Sequence, residues 1–418
     1  MEAFALHSTS KLRAHLLQYF HHFLSKTANI LVPFDDELSN PFRSILPEMA
    51  LRNDHLLSLL LAYSASHRAR ILQHPEPATR IAMWVQDIFP ALRHALSGAG
   101  HQAAISNANV ATAIMLASLE IISPTAFGYT IPWYNHLALA RELITARPRG
   151  LRVGCRAHRG PRGEEEGGGE EQICSFLWSW FAYLDVLGSL SCGPRDVPST
   201  WILDYTVYDS EDDDEIDCIM GFTTRCVYIL AEVAELTREC DALRASSRGD
   251  IGTRSFKWSP PPDAAERGRQ LEHRLRCSMA TPARACAHIV HSGGVKCWDW
   301  VEMSATNLAY HWAALAQLYR RVFGHDREDP AVKTAVKEIF ACLECVRRGG
   351  TAEGCLLFPM FTAGCETTEA AARDLVLERM VSVEKRGMTQ VENAKKLMQC
   401  VWKTGKPWWE LVNNEFIG

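Results

Sequence analysis

The sequence predicts an all-α fold, built as one large multi-helix domain over residues 1–418. Three observations carry that prediction. Apolar residues recur at steps of three and four along most of the chain, the period of an amphipathic helix. Helix punctuation, such as Asp329-Pro330 before one run and Gly349-Gly350 after it, brackets the apolar stretches. No stretch alternates apolar and polar residues long enough to predict a strand, and no repeat of fixed period occurs.

In chain order, Leu12, Leu16, Tyr19, Phe20 and Phe23 share one face of a first helix, with His21 and His22 read as surface residues. A second helix starts near Asp54 and carries Leu56, Leu57, Leu60 and Leu61. The small residues Ala62, Ser64, Ala65 and Ser66 that follow let a neighbouring helix come close. Further helices are predicted near 78–97, 108–122, 134–146 and 175–190. The chain from Asp299 to Val322 reads as another helix, closed by Gly324. Asp329 caps a helix that opens on Pro330, carries Val332, Val336, Ile339, Phe340, Leu343 and Val346, and ends at Gly349-Gly350. Thr389 and Glu392 have the spacing of a capping box ahead of Leu397, Met398, Val401 and Trp402. Trp402, Trp408 and Trp409 are expected to pack into the core.

Three stretches read as flexible loops: 147–172, 205–215 and 242–263. The first, a disordered insertion, holds Arg147, Arg149, Arg152, Arg156, Arg159 and Arg162, then Glu164-Glu165-Glu166 and Gly167-Gly168-Gly169. So little apolar surface cannot offset the entropy of ordering.

Composition bounds the function. The 418 residues are 47% hydrophobic, with 44 Lys+Arg against 49 Asp+Glu and a net charge of −5. That balance argues against a whole-domain basic footprint for nucleic acid. No basic n-region precedes an apolar h-region, so no secretory signal is read. The Leu-rich stretch Leu56–Ala65 is far short of the ~20 residues of a membrane span. An intracellular chain with no membrane partner is therefore expected. The 14 cysteines are scattered, and Cys226, Cys342 and Cys400 sit in apolar patterns; buried thiols are expected rather than disulfides.

Four motifs could carry chemistry, and each has a plainer reading beside it. Asp213-Asp214-Glu215-Ile216-Asp217 resembles the Mg²⁺-binding carboxylate motif of class I terpene cyclases, and Mg²⁺ takes hard oxygen ligands. It lies in an acidic run from Asp209, ahead of a helix expected to carry Ile219, Met220, Val227 and Leu230. Acids there are favourable against the helix dipole, and no second ligand triad follows. Cys342 and Cys345, with Cys355 and Cys365, and separately Cys286, His288, His291 and Cys297, are possible zinc ligands. The first group has one tight pair, inside an apolar helix, and the second has mixed spacing. The arginine run could touch phosphate, but no aromatic residues interleave with it. No nucleophile elbow or phosphate-binding loop occurs. Accordingly no catalytic, cofactor-binding or metal-binding residue is assigned, no cofactor is expected, and the chain is read as a non-enzyme.

A set of strings, in order, resembles the fungal-specific transcription factor domain, the regulatory domain of fungal zinc-cluster transcription factors. They are Asn40-Pro41-Phe42-Arg43 with Leu46-Pro47; His55-Leu56-Leu57 and Ala62 to His67; Trp133 with His136, Leu137 and Ala140; Trp180 to Val186; Leu357 to Thr367; and Gly387-Met388 with Val401-Trp402-Lys403 and Trp408 to Leu411. The resemblance runs from about residue 11 to about 412. It implies an all-α regulatory region and brings no catalytic residues. In the family this region follows a six-cysteine binuclear zinc cluster, whereas the first cysteine here is Cys155. The expectation is a nuclear, or also cytoplasmic, regulator of a fungal gene set such as a secondary-metabolite cluster, without its own DNA reader. It would act through protein partners (a second copy or an intact zinc-cluster relative) or a small-molecule effector. The alternative is a helical scaffold repurposed as a biosynthetic enzyme for a small apolar metabolite.

Overall fold

The fold follows from where the apolar stripes find partners. The computed structural model describes residues 16–36, 39–88, 90, 92, 105–124, 132–147, 151, 168–192, 214–250, 258–285 and 297–418. Helix α1 covers 16–30, with a π turn at Phe23–Thr27. It buries Tyr19 and Phe23 against α3 (Asp54–Ile71), which follows the short α2 (Ile45–Leu51). Asn53 caps α3 by accepting the Leu56 N–H at 2.9 Å. The small residues expected to admit a neighbour do so: Ser64 is fully buried and its hydroxyl donates to the Tyr19 carbonyl.

Helices α4 (Ala78–Val85), α5 (Asn107–Ile122) and α6 (Trp133–Thr145) complete the N-terminal layer, and α5 packs on α3, α6 and α7. Helix α7 (Gly168–Ser191) is the central element and packs on α5, α6 and α8. By length and composition it could cross a membrane, but 78% of its most apolar window is buried inside the fold. Next come β1 (Glu215–Ile216), α8 (Thr224–Asp250), α9 (Pro262–Ala280) and β2 (Arg284–Ala285); the two strands pair in parallel. The C-terminal layer comprises α10 (Cys297–Gln317), running on into a π-helix at Leu318–Val322, α11 (Pro330–Glu344) and α12 (Thr351–Gly354). It ends with α13 (Leu357–Glu366), α14 (Ala370–Glu384), α15 (Thr389–Thr404) and a 3₁₀ turn at Trp408–Glu410. One contiguous apolar core runs through the helices, from Tyr19 to Ile417.

Several expectations are corrected. The 147–172 segment is not all loop: α7 begins at Gly168, because Ile173, Cys174 and Leu177 carry its apolar face upstream. Likewise α8 runs on to Asp250 and α9 starts at Pro262, so helix fills both ends of 242–263. Trp258, between them, packs on the core and donates to the Val322 carbonyl. Of 205–215, only Asp214 and Glu215 are described, in a turn and strand β1; the rest lies outside the described residues. The capping box does not form. Thr389 is the first helical residue and its hydroxyl donates to the Ile122 carbonyl, while Glu392 pairs with Lys396 one turn on. Helix α11 stops at Glu344, short of the two glycines. Cys400 is exposed, as are Cys277 and Cys345.

A fully buried charge lies where α7, α8, the end of α10 and the C-terminal segment meet. Arg321 is 0% exposed. Its guanidinium pairs with Asp241 at 2.7 Å and donates to the carbonyls of Leu190 and Cys192. Its face lies 5.0 Å from the Trp408 ring centroid. Arg244 adds a second guanidinium at 3.2 Å from Asp241 and donates to the Arg321 carbonyl. Breaking such a pair strands a charge in a dry site. Asp241→Leu should therefore lower unfolding free energy by about 3–5 kcal/mol in denaturant titration. Breaking the exposed Glu48–Arg52 pair with Glu48→Gln should change it by under ~1 kcal/mol. Equal effects would show that the buried pair is not a principal support.

Candidate functional site

The motifs singled out in the sequence are mostly built into the frame. Asp217 is tied into a tight loop: its carboxylate accepts the N–H groups of Ile219 and Met220 and the Ser179 hydroxyl. Asp214 pairs with Arg225 at 3.0 Å. Ile219 and Met220 precede α8 rather than lie in it, so the acidic run does not cap that helix; Asp213 lies outside the described residues. Cys342, Cys355 and Cys365 are buried thiols and Cys345 is exposed. Burial pushes Cys342 and Cys355 up to about 12, the thiol form that an apolar setting favours. Cys286, His288 and His291 lie outside the described residues. Among the described residues no three His, Cys, Asp or Glu side chains converge as metal ligands. Of the arginine run, Arg147 donates toward Cys174 Sγ; the remainder lies outside the described residues, as does Leu12.

The separated strings that carry the family resemblance meet in space. Phe42 packs edge-on to Trp180 with ring centroids 5.0 Å apart. His67 crosses to the Gly387 turn, where its Nε2–H donates to the Arg386 carbonyl at 2.8 Å. A carbonyl can only accept, which leaves Nδ1 to accept the Thr27 hydroxyl. Gly387, at φ +86°, would place a Cβ 2.8 Å from the His67 ring, so only glycine fits there. Trp133 donates to the Asn414 carbonyl and packs on Phe416, while Gly188 admits its ring against α7. Trp402 donates to the Gly364 carbonyl, and Phe361 meets Trp408 edge-on. His22, expected at the surface, is half-buried beside His67, and its neutral form is favoured mainly by burial, at about 4.

Concavities open at several places among the described residues. A groove between α11 and α14 mixes Lys333 and Lys337 with Glu366 and Glu369. A narrow crevice lies among Tyr63, Ser118, Trp180 and Gln390. A third, a cavity of about 260 Å³, is bounded by α5, Pro132 and Trp133, α15 and the C-terminal segment. It is the candidate site because it holds orphan buried polar groups. Glu120 is 3% exposed, and both of its carboxyl oxygens lack a hydrogen-bond partner. Gln390 is 4% exposed; its amide nitrogen donates to the Gly418 carbonyl while its Oε1 has no donor. Both side chains line the cavity, with Trp133, Ile121, Pro124 and Phe416 as apolar wall. Native proteins seldom leave buried acceptors unmet. Chemically, the arrangement can accept hydrogen bonds from a ligand that carries a short apolar body.

Sequence reasoning missed Glu120, although a signal was present. It is the one charged residue in α5, which otherwise reads as an apolar core helix. A lone carboxyl in such a helix is either paired across the fold or kept for a ligand.

Burial raises Glu120 to about 8. A folded pKa above the unfolded one means that the native state holds the extra proton, so this contribution is lost as pH rises from about 4.5 to about 8. His67, His136 and His311 are held neutral by burial, at about 4, so their contribution is lost as pH falls from about 6.5 to about 4. Glu120→Gln should thus gain stability over the natural chain progressively between pH 5 and pH 8, by up to a few kcal/mol at the alkaline end. Paired denaturant titrations across that range would show it; a pH-independent difference would mean that Glu120 ionises normally.

The model of the "Fungal specific transcription factor domain" family matches residues 18–416, nearly the whole chain. No curated protein and no solved structure matches it significantly. The region matched contains no six-cysteine zinc cluster. The chain belongs to the fungal-specific transcription factor domain family.

Proposed function

We propose that this chain regulates transcription of a fungal gene set, such as a secondary-metabolite cluster, from the nucleus. It does so without a zinc cluster in these 418 residues, through protein partners or a small-molecule effector. The single observation that carries the reading is the family match over residues 18–416. The structure supplies a physical basis for effector control. The cavity at Glu120 is walled by the N-terminal layer on one side and by α15 and the C-terminal segment on the other. A ligand there touches both, and one that binds a closed arrangement better shifts the population toward it.

The biosynthetic-enzyme reading drew on the acidic motif at Asp213–Asp217, on the His and Cys content and on the absence of a zinc-cluster DNA reader. Asp214 and Asp217 are engaged by Arg225 and by backbone and serine donors, which weakens its metal-binding version.

Deleting the gene in its host should change transcripts of a defined gene set, with neighbouring genes the first to examine by RNA sequencing. Loss of one metabolite with every transcript unchanged would refute the regulator and revive the enzyme.

A further inference from the structure

We propose that the cavity bounded by α5, Trp133, α15 and the C-terminal segment binds a small organic ammonium ion, which donates its N–H groups to Glu120 and Gln390. The inference deepens the effector part of the proposed function and rests on it for biological meaning; the binding itself does not depend on it.

Hydrogen-bond arithmetic sets the ligand's polar end. With Glu120 ionised, as a cation beside it favours, the buried unsatisfied atoms on this cavity are acceptors: both oxygens of Glu120 and Oε1 of Gln390. Each unmet buried acceptor costs roughly 1–3 kcal/mol, so a complementary ligand brings donors. A primary ammonium carries three donors and no acceptor, which matches three orphan oxygens.

Charge points the same way. Among the described residues neither lysine, arginine nor histidine lines the cavity, and the second ionisable group in the lining is another acid, Glu415. Glu415 already accepts the Asn413 N–H. An anion would find two carboxyls and no cation. A positive ligand instead stabilises the ionised form of Glu120, and a charge-assisted bond in a poorly solvated site is stronger than a neutral one. Mg²⁺ or Ca²⁺ fits less well, since each takes six or more oxygen ligands.

The wall sets the ligand's carbon part. Trp133 is 5% exposed and lies in the lining with Ile121, Pro124, Pro132 and Phe416. An aromatic ring in the same lining as a carboxyl suits an organic cation, because the ring quadrupole attracts positive charge. The volume, about 260 Å³, falls just under the ~300–1,000 Å³ usual for ligand sites, so the ligand is small.

Isothermal titration calorimetry and thermal unfolding of the full chain test this, with phenethylammonium and n-hexylammonium chloride as probes. The isosteric neutral alcohols 2-phenylethanol and 1-hexanol serve as controls. The amines should bind and raise Tm, the alcohols should bind at least about tenfold more weakly, and Glu120→Gln should weaken the amines by roughly tenfold or more. Glu120→Gln keeps the side chain's size, and its fold is checked by circular dichroism. Should that variant not fold, the comparison of amine with alcohol on the natural chain decides alone. Three outcomes each overturn the proposal: no amine binds, the alcohols bind as tightly as the amines, or folded Glu120→Gln keeps full amine affinity. None of these readouts depends on transcripts, so amine binding without transcriptional change would sink the regulator and spare the site. The reverse result would spare the regulator.

Discussion

Arg321 is a full positive charge with no exposed surface, and the architecture converges on it. Its guanidinium is satisfied by Asp241 from α8, by carbonyls at the C-terminal end of α7, and by the face of Trp408 near the chain's end. A guanidinium keeps its charge when buried. Each of those segments must therefore be in place together. Arg244 ties the same carboxylate to the backbone of Arg321 itself, across the π-helical end of α10. The arrangement links residues far apart in the chain, and it seats the tryptophans that close the core.

A second set of long-range ties holds the N-terminal layer to the C-terminal one. His67 reaches the Gly387 turn, Thr389 reaches the end of α5, and Trp133 reaches Asn414. Each joins residues more than 250 positions apart with a hydrogen bond to a backbone carbonyl. The cavity with Glu120 lies along this seam, lined by Trp133, Gln390 and Asn414. Apolar packing fills most of the seam, and an unmet carboxyl interrupts it. A site placed there can couple ligand binding to the fit between layers, which is the physical requirement for a domain that reports on an effector.

Among the described residues the other buried ions are paired and serve the frame. Arg379 meets Glu353 at 3.0 Å, and the second oxygen of Glu353 accepts the Gly349 N–H. Glu302 receives both the backbone and the side chain of Arg347. His311 donates from Nδ1 to the Asn307 carbonyl and accepts the Ser278 hydroxyl at Nε2. Against this background of paired ions, Glu120 stands out among the described residues as a buried carboxyl with no partner at either oxygen.

The sequence by itself determined the all-α class and most element positions, because helical periodicity and caps are local. Asp329 caps α11 as its position before Pro330 predicts, and α5 and α6 start and end within a residue of their predicted limits. It also determined the family, through packing strings whose order survives even though each alone is weak. Boundaries failed where a distant partner outbid the local signal. Thr389 gives its hydroxyl to Ile122 instead of its own helix, and the apolar face of α7 extends helix into a glycine-rich stretch. Only the tertiary structure decided which polar residues are spent on the frame and which is left over. Asp217 and Glu120 read alike as acids beside apolar residues, but loop closure hands Asp217 its donors and brings Glu120 none. That difference depends on what arrives from the rest of the chain, and a local pattern does not encode it.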